Sequence, residues 1–390
     1  MSRIHVCLVS EQTIPNILGI YHFKPDRVIF CSTDKMEKQR KTDAIVNTLL
    51  LHGLDYSAKS ERIIVDQDSL TDCINKVELL IEKVEDEVDY VVNITGGNKI
   101  MALAAYEIFR DIGQKVVIGY MPLGKNEFTQ IFPRNKPLKV YEVKERLNLE
   151  EYLMSYGFRI QNKEKFQTIK DKTLSRNEAS KWILDNYGQL KGMLGFLYKH
   201  MGDKRKQKEY HLSAAFDREL TKIEREMLDK HGFTINGSLV SKDLLKDEIV
   251  YLTGGWFEEY VFNEVYSLVK DRALDDAMMG VTIESFGGIS NELDIAFTKD
   301  NVFYHIECKT LAEGDKGIIR DEVYKKGAIS ALLGKGEKRA IICTTHNQIS
   351  EAHSARAKEY GVEILQIQQV RDLKNHLLKM FGIKSHVGHS

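Results

Sequence analysis

The sequence has five cysteines, and no two of them stand in a CxxC spacing. Its 12 histidines likewise show no pattern typical of a zinc site. No apolar run is long enough to cross a bilayer, and the apolar stretch at the N-terminus is too short for a signal peptide. We therefore expect a cytoplasmic protein that has reduced thiols in its core and no contact with a membrane.

The chain also lacks an excess of either charge, because 56 basic residues stand against 57 acidic ones. This balance excludes a uniformly basic nucleic-acid binder. The charge is uneven, however, since residues 159–208 hold 13 Lys or Arg against five Asp or Glu, densest at Lys204-Arg205-Lys206 and Lys208. Such a segment either contacts phosphates or forms a solvated helix face, and the sequence leaves both open.

With 390 residues, the chain is long enough for two domains, and its first 145 residues alternate short apolar strands with amphipathic helices. Helices are predicted over 72–88 and after Asn98, and an antiparallel hairpin over 128–132 and 138–143. This alternation predicts an α/β fold with a parallel, doubly wound, Rossmann-like sheet. The predicted strands are Ile4–Val9, Arg27–Cys31, Arg62–Val65, Asp89–Ile94 and Lys115–Tyr120.

Two loops of this region have the composition of ligand loops. In a parallel sheet, ligands bind beyond the carboxyl ends of the strands, and both loops follow predicted strands. The second loop opens a helix, whose free backbone amides favour an anion, and its glycines allow close approach of a phosphate. The candidate residues are Ser10, Gln12 and Thr13 after the first strand, and Thr95, Gly96, Gly97, Asn98 and Lys99 after the fourth.

A second candidate site lies in residues 291–310, which are predicted to form a hairpin. Apolar residues alternate on both sides of a polar turn at 299–301. The register that aligns the two apolar faces places Asp294 beside Glu307, and Lys309 shares a strand face with Glu307. Two carboxylates bind a hard divalent cation, and a lysine stabilises charge on a phosphate. The alternative is a strand with solvated charges at a sheet edge.

An amphipathic helix is predicted over 254–269, with two acidic residues in its first turns. For Glu259 we prefer the interpretation that it interacts with the helix dipole. Glu258 can instead reach the same metal as the hairpin carboxylates, if the helix packs on the sheet.

The order Glu258, Asp294 and Glu307-Cys308-Lys309 resembles the PD-(D/E)xK nuclease superfamily, which has a restriction-endonuclease-like α/β fold. Leu293 stands where the superfamily often has proline. The resemblance implies that Glu258, Asp294, Glu307 and the Cys308 carbonyl bind Mg or Mn, and that Lys309 is the catalytic lysine. A helix over 321–334 with Lys325 and Lys326, and a strand over 339–346, would complete this core.

The segment NITGGNKIMA, residues 93–102, resembles the ligand loop of CARF domains. A CARF domain joined to a PD-(D/E)xK nuclease is the architecture of the ancillary nucleases of type III CRISPR systems. This resemblance implies a homodimer, activation by a cyclic oligoadenylate of the cyclic tetra-adenylate type, and metal-dependent cleavage of DNA or RNA. The substrate would be single-stranded DNA, RNA or a nicked duplex. The predicted domains are a CARF ligand-sensing domain over 1–147 and a PD-(D/E)xK nuclease domain over 246–390. Residues 148–245 between them are predicted to form a helical, basic connector and the start of the C-terminal domain.

Two other functions remain open. Arg371 and His376 fit the R-x(4)-H signature of HEPN ribonucleases, which cut RNA without a metal, although their place in an amphipathic C-terminal helix favours surface charge. The second alternative is a ligand sensor whose C-terminal domain binds nucleic acid without cleaving it. The sequence contains no convincing basic helix-turn-helix that would favour such a sensor.

Overall fold

The computed structural model describes residues 2–83, 88–113, 115–122, 124–310, 339–347 and 349–383, together with Val323 and Leu333. Its N-terminal sheet contains β1 (Ser2–Leu8), β2 (Arg27–Ser32), β3 (Ser60–Ile64), β4 (Val88–Asn93), β5 (Val116–Tyr120), β6 (Glu127–Phe132) and β7 (Val140–Glu142). The spatial order is β3-β2-β1-β4-β5-β6-β7. The first five strands are parallel and the last two antiparallel, which confirms the predicted sheet and its hairpin.

Helices cover both faces of this sheet. One face packs against the first and third helices through Ile17 and Ile45, and the other against the fourth and fifth through Val77 and Ala104. Strand β1 is buried on both faces, which explains its nearly continuous apolar sequence. The helices are α1 (Ile14–Phe23), α2 (Asp34–Lys38), α3 (Lys41–Leu51), α4 (Leu70–Ile81) and α5 (Lys99–Ile112).

The middle of the chain is more complex than the predicted helical connector. It contains α6 (Leu149–Ser155), β8 (Phe158–Ile160), α7 (Phe166–Ser175), α8 (Asn177–Asp185), α9 (Tyr187–Met201), β9 (Glu209–Ala215), α10 (Lys222–Lys230), β10 (Thr234–Asn236), β11 (Leu239–Leu245) and α11 (Lys246–Val250). Strands β9 to β11 form an antiparallel sheet of their own, in the order β10-β11-β9. The sequence pattern of this region did not predict the small sheet.

The C-terminal sheet contains six strands in the order β16-β15-β14-β13-β12-β8. After β8, the chain reaches this region with α12 (Trp256–Lys270), β12 (Asp276–Ser285), β13 (Ser290–Lys299) and β14 (Val302–Lys309). Then follow β15 (Ala340–Thr344), α13 (Glu351–Glu359), β16 (Val362–Leu365), α14 (Ile367–Val370) and α15 (Leu373–Met380). The predicted hairpin and last buried strand are confirmed, whereas the predicted helix over 321–334 lies outside the described residues apart from Val323 and Leu333.

Helix α12 fixes the position of the hairpin formed by β13 and β14. Its side chains Phe257 and Val261 are fully buried and share one core with Ile295 and Ile306 of the hairpin. Burial of one such side chain contributes roughly 1.5–3 kcal/mol to stability. Among the described residues, none of the helices is both long enough and apolar enough to cross a membrane.

Candidate functional site

A cleft of about 950 Å³ opens at the carboxyl ends of β1 and β4. These strands are neighbours at the centre of the sheet, and the chain leaves β1 toward β2 on one side and β4 toward β5 on the other. Ligands of doubly wound sheets bind at this kind of switch point. Five of the predicted ligand residues line the cleft: Ser10, Gln12, Thr95, Gly97 and Asn98.

Local contacts explain the sequence of the loop after β4. Asn98 caps α5, because its side-chain oxygen accepts a 2.9 Å hydrogen bond from the Met101 N–H. A Cβ atom at Gly96 would lie 2.0 Å from the carbonyl oxygen of Leu8, so only glycine fits there. Gly97 has a φ of +67°, which also favours glycine. The two glycines therefore bring the loop against β1.

The other three predicted ligand residues differ in position. Thr13 is completely buried, and its hydroxyl donates a 2.6 Å hydrogen bond to the Ser155 carbonyl of α6. Gly96 is buried against β1, and Lys99 is exposed at the start of α5. Within the described part of the chain, these three residues are not among those that line the cleft.

Two lysines that the sequence analysis missed also line the cleft. Lys35 forms a 3.1 Å ion pair with Glu11, and Lys125 forms a 3.3 Å ion pair with Glu127. Both stand in loop or short-helix segments with no motif, so the sequence carries no signal that would have identified them.

The wall of the cleft includes the C-terminal sheet as well. The turn between β13 and β14, together with Tyr304 and Arg339, lines the side opposite the predicted ligand loops. At this turn Asp300 and Asn301 have φ values of +51° and +62°, as a tight hairpin turn requires. Asn301 donates a 2.8 Å hydrogen bond to Asn126 and accepts one of 2.8 Å from the Leu147 N–H. The turn is therefore held by residues of the N-terminal half.

At its other end, the same hairpin carries the predicted nuclease residues. Ile295 pairs with Ile306, so the next step along this register sets Asp294 opposite Glu307, as predicted. The Cys308 N–H donates a 2.8 Å hydrogen bond to the carboxylate of Asp294. Glu307 is buried, with 5% of its surface exposed, and forms a 2.8 Å ion pair with Lys309. Asp294, Glu307 and Lys309 thus lie in one region.

Glu258 faces this region from the first turn of α12. The helix follows a π-helical turn at Tyr251–Gly255, in which Gly254 has a φ of +135°. Burial raises the pKa of the Glu258 carboxyl, Arg205 opposes the rise, and the Glu307 carboxylate adds to it. The charges of Glu258 and Glu307 therefore act on each other.

Glu259 has the opposite orientation and a structural partner. Arg176 donates a 3.0 Å hydrogen bond to its carboxylate. Burial nevertheless raises the pKa of Glu259 to about 7, because the charge of Arg176 does not offset the loss of hydration. This pairing supports our assignment of Glu259 to structure.

The donor chemistry of this region fits a hard divalent cation. Glu258, Asp294 and Glu307 offer carboxylate oxygens, which Mg²⁺ and Mn²⁺ prefer. Burial raises the pKa of the Cys308 thiol well above its usual value, so this residue would contribute its backbone carbonyl rather than a thiolate. Among the residues the structure describes, no three His, Cys, Asp or Glu side chains already stand together as a cation site.

Arg371 and His376 do not form a joint site. The Arg371 guanidinium donates a 3.1 Å hydrogen bond to the Leu184 carbonyl at the end of α8. His376 on α15 lies 3.0 Å from the carboxylate of Glu363 on β16. Each residue thus joins a different pair of elements, as expected for structural surface charge.

Two family models match the chain. The model described as the Card1 CARF domain matches residues 4–152, and the model described as the Card1-like endonuclease domain matches residues 245–383. No curated protein shows a significant match.

Solved structures share the fold over nearly the whole chain. Protein VC1899 from Vibrio cholerae and Can2 from Sulfobacillus thermosulfidooxidans in complex with cyclic tetra-adenylate match at 19% and 20% identity. Both have a TM-score of 0.77 and cover 97% of this chain and 98% of their own. A type III CRISPR defence DNA nuclease activated by cyclic oligoadenylate matches at 17% identity, with a TM-score of 0.53 over 88% of this chain and 45% of that one.

The predicted ligand loops lie within the residues that match the CARF model, and Glu258, Asp294, Glu307 and Lys309 lie within those that match the endonuclease model. The chain therefore carries a CARF domain of the Card1 type followed by a Card1-like endonuclease domain.

Proposed function

We propose that this endonuclease acts in type III CRISPR antiviral defence, depends on Mg or Mn, and is activated allosterically by a cyclic oligoadenylate of the cyclic tetra-adenylate type. One observation carries the proposal. The cleft lined by Ser10, Thr95 and Asn98 is also lined by the turn of the hairpin that bears Asp294 and Glu307.

The nuclease residues would have two roles, to bind the cation and to stabilise charge on the phosphate. Glu258, Asp294, Glu307 and the Cys308 carbonyl would hold the cation. When bound, the cation would supply Lewis-acid charge and lower the pKa of a bound water. Lys309 forms an ion pair with Glu307, and its ammonium group would stabilise negative charge that develops on the scissile phosphate. The carboxylates of the half-buried Glu258 and the buried Glu307 repel each other, and a cation between them would relieve this repulsion.

The cleft has the chemistry of a phosphate-ribose site. The N–H groups at the start of α5 favour anions, and Lys35 and Lys125 add positive charge. Hydroxyl and amide side chains of Ser10, Gln12 and Asn98 can bind ribose or base edges.

A homodimer would complete the activator site, because a cyclic ligand with two equal halves matches a two-fold axis. Exposed apolar residues on neighbouring helices support such an interface. Leu79 on α4 is 56% exposed and Leu103 on α5 is 62% exposed. We expect the wild type to be a dimer by light scattering and the Leu103→Glu variant to shift toward monomer. A monomeric wild type at micromolar concentration would contradict the dimer.

Allosteric activation has a physical route in the fold. The Met121 N–H donates a 2.8 Å hydrogen bond to Thr95 of the ligand loop, and the loop that begins at Met121 continues to Asn126. Asn126 accepts the hydrogen bond from Asn301 at the hairpin turn. From this turn, β13 runs about 20 Å to Asp294. A ligand that shifts the loop after β5 would therefore displace the hairpin that carries the nuclease residues.

The test is cleavage of labelled single-stranded DNA, single-stranded RNA and supercoiled plasmid, with Mn or with EDTA, each with and without cyclic tetra-adenylate. We expect cleavage only where both metal and activator are present. The Glu307→Ala variant should bind the activator normally and cleave nothing. Equal cleavage by this variant would overturn the site assignment.

The same experiment separates the other candidate functions. Cleavage of RNA in EDTA would point to Arg371 and His376, although no observation in the structure favours that reaction. Activator binding with no cleavage of any substrate would indicate a sensor that only binds nucleic acid.

A further inference from the structure

A short basic turn, residues 204–208, is hydrogen-bonded to the helical segment that leads to Glu258. It lies between the 3₁₀ turn Gly202–Lys204 and β9. Within it, the Gln207 N–H donates a 2.8 Å hydrogen bond to the Lys204 carbonyl. The Lys208 carbonyl accepts one of 2.8 Å from the N–H of Lys246, the first residue of α11. Because α11 leads through the π-helical turn into α12, the basic turn has a fixed position relative to Glu258.

Arg205 is the residue of this turn whose charge acts on the Glu258 carboxyl. Burial raises the pKa of that carboxyl, and the positive charge of Arg205 opposes the rise. Its side chain is half-buried, whereas Lys206 and Lys208 are exposed. Lys204 is paired with Asp203 at 2.7 Å.

The guanidinium of Arg205 also differs in its bonding from that of Arg176, which is half-buried like it, and from that of the exposed Arg371. Arg176 binds Glu259 and Asp247, and Arg371 binds the Leu184 carbonyl. For Arg205, by contrast, no acceptor among the described residues forms a hydrogen bond or an ion pair with the guanidinium. A half-buried guanidinium with five donors ordinarily finds such partners in the protein or in a ligand.

We propose that Arg205 binds a backbone phosphate of the nucleic-acid substrate next to the scissile phosphate and positions the strand over the nuclease residues. The proposal rests on the proposed nuclease function and names a substrate contact for it. A planar guanidinium suits two non-bridging phosphate oxygens at once, which a lysine does not match. A phosphate contact carries no base information, so Arg205 would act on all sequences alike.

A purely structural role makes a different prediction. If Arg205 only offsets the negative charge of Glu258, its removal would alter the melting temperature of the protein and the kcat of cleavage. If Arg205 binds a phosphate, its removal would weaken substrate binding and reduce the number of counterions that binding releases. The salt dependence of binding therefore separates the two roles.

The experiment uses the full-length protein with cyclic tetra-adenylate, and Ca²⁺ in place of Mg or Mn to slow cleavage during binding. Affinity for a labelled single strand and a labelled duplex is measured across a series of salt concentrations. The variants are Arg205→Ala and Arg205→Lys, with Arg225→Ala as a control that removes an exposed arginine of α10. KM and kcat are then measured with Mn.

For Arg205→Ala we expect affinity to fall about tenfold at low salt, as for the loss of a charge-assisted hydrogen bond. The slope of log K against log salt should decrease by about 0.7 for the single strand or 0.9 for the duplex. KM should rise while kcat at saturating substrate changes little. Arg205→Lys should restore the slope but only part of the affinity, and Arg225→Ala should match the wild type.

An unchanged slope together with a lower kcat or a lower melting temperature would overturn the phosphate contact in favour of a structural role. An unchanged slope with unchanged KM and kcat would overturn it outright. Both of these outcomes leave the proposed nuclease function intact if the wild type cleaves. A wild type that neither binds nor cleaves any of the nucleic acids would overturn the function, and Arg205 as a substrate contact with it.

Discussion

The carboxylate of Asp294 accepts a 2.8 Å hydrogen bond from the backbone N–H of Cys308. The backbone pairing of β13 with β14 ends at Ile295 and Ile306. Beyond that pair, the Asp294 side chain joins the two strands of the hairpin. Asp294 would therefore have two roles. One of its oxygens holds the strands together, while the charge of the carboxylate is available to a cation.

Substitution of Asp294 should separate these roles. Asp294→Asn keeps an oxygen acceptor for the Cys308 N–H but loses the charge, so cleavage should fall about 100-fold or more while the fold is kept. Asp294→Ala should also lower the free energy of unfolding by about 1–3 kcal/mol, because the Cys308 N–H loses its partner. Cleavage assays and urea unfolding measure the two effects. Full activity of Asp294→Asn would show that Asp294 is not a metal ligand.

Gly96 should not tolerate a side chain. In Gly96→Ala the new Cβ would lie 2.0 Å from the backbone oxygen of Leu8, and the loop would have to move away from β1. We expect a loss of about 1–3 kcal/mol in the free energy of unfolding, together with weaker activator binding. Gly195→Ala in α9 is the control, since its Cβ would meet no atom within 4 Å. The control should be neutral or stabilised by up to about 1 kcal/mol. Calorimetry of both variants with cyclic tetra-adenylate checks this expectation.

Asn301 should transmit activation without serving catalysis. Asn301→Gly accommodates the φ of +62° but removes the hydrogen bonds to Asn126 and Leu147. We expect the activator-dependent gain in cleavage to fall about 5- to 150-fold, the usual range of allosteric coupling, with little change in activator affinity.

The control for this change is Arg272→Gly, which also replaces a residue with a positive φ, of 58°, but an exposed one. It should activate like the wild type. If Asn301→Gly also activated normally, the hairpin turn would not transmit the signal.

His5 should make the free energy of unfolding depend on pH. Its side chain is completely buried, and neither ring nitrogen has a hydrogen-bond partner among the described residues. Burial, with a smaller contribution from Arg3, lowers the pKa of His5 to about 3. The unfolded chain takes up this proton below about pH 6.5, whereas the folded chain does so only near pH 3. The free energy of unfolding should therefore fall as the pH decreases from about 6.5 to about 3.

The measurement is urea unfolding at several pH values for the wild type and for His5→Leu. The variant should lose less stability than the wild type over this range. His211→Gln, which changes a histidine with a 62% exposed side chain, should keep the slope of the wild type. Parallel slopes for wild type and His5→Leu would show that other groups govern the acid dependence.

Local patterns in the sequence predicted much of this structure. The strands of the N-terminal sheet alternate with helices, and hydrophobic alternation fixed the register that places Asp294 opposite Glu307. Such features depend on neighbours along the chain, or on two strands joined by a short turn. The glycines of the loop after β4 were likewise recognisable, because their backbone conformation allows few other residues.

Other features depend on contacts between distant parts of the chain. Thr13 looks like a loop residue that binds a ligand, yet its hydroxyl reaches Ser155, 142 positions away. The proximity of Arg205 to Glu258, and the bond between Asn126 and Asn301, arise only when separate elements pack together. No periodicity or motif encodes these contacts, so the sequence alone did not reveal them.

Strand β8 affects how this protein could be re-engineered. Although it precedes the nuclease core by about a hundred residues, it pairs with β12 at the edge of the C-terminal sheet, and α6 just before it bonds to Thr13. A chimera that exchanged the sensor half at residue 147 would keep β8 but lose the native contact of α6. One joined after residue 160 would instead take the edge strand from a foreign sequence. Grafts of a new sensor onto this nuclease should therefore retain 148–160 and redesign the surface around Thr13 to match it.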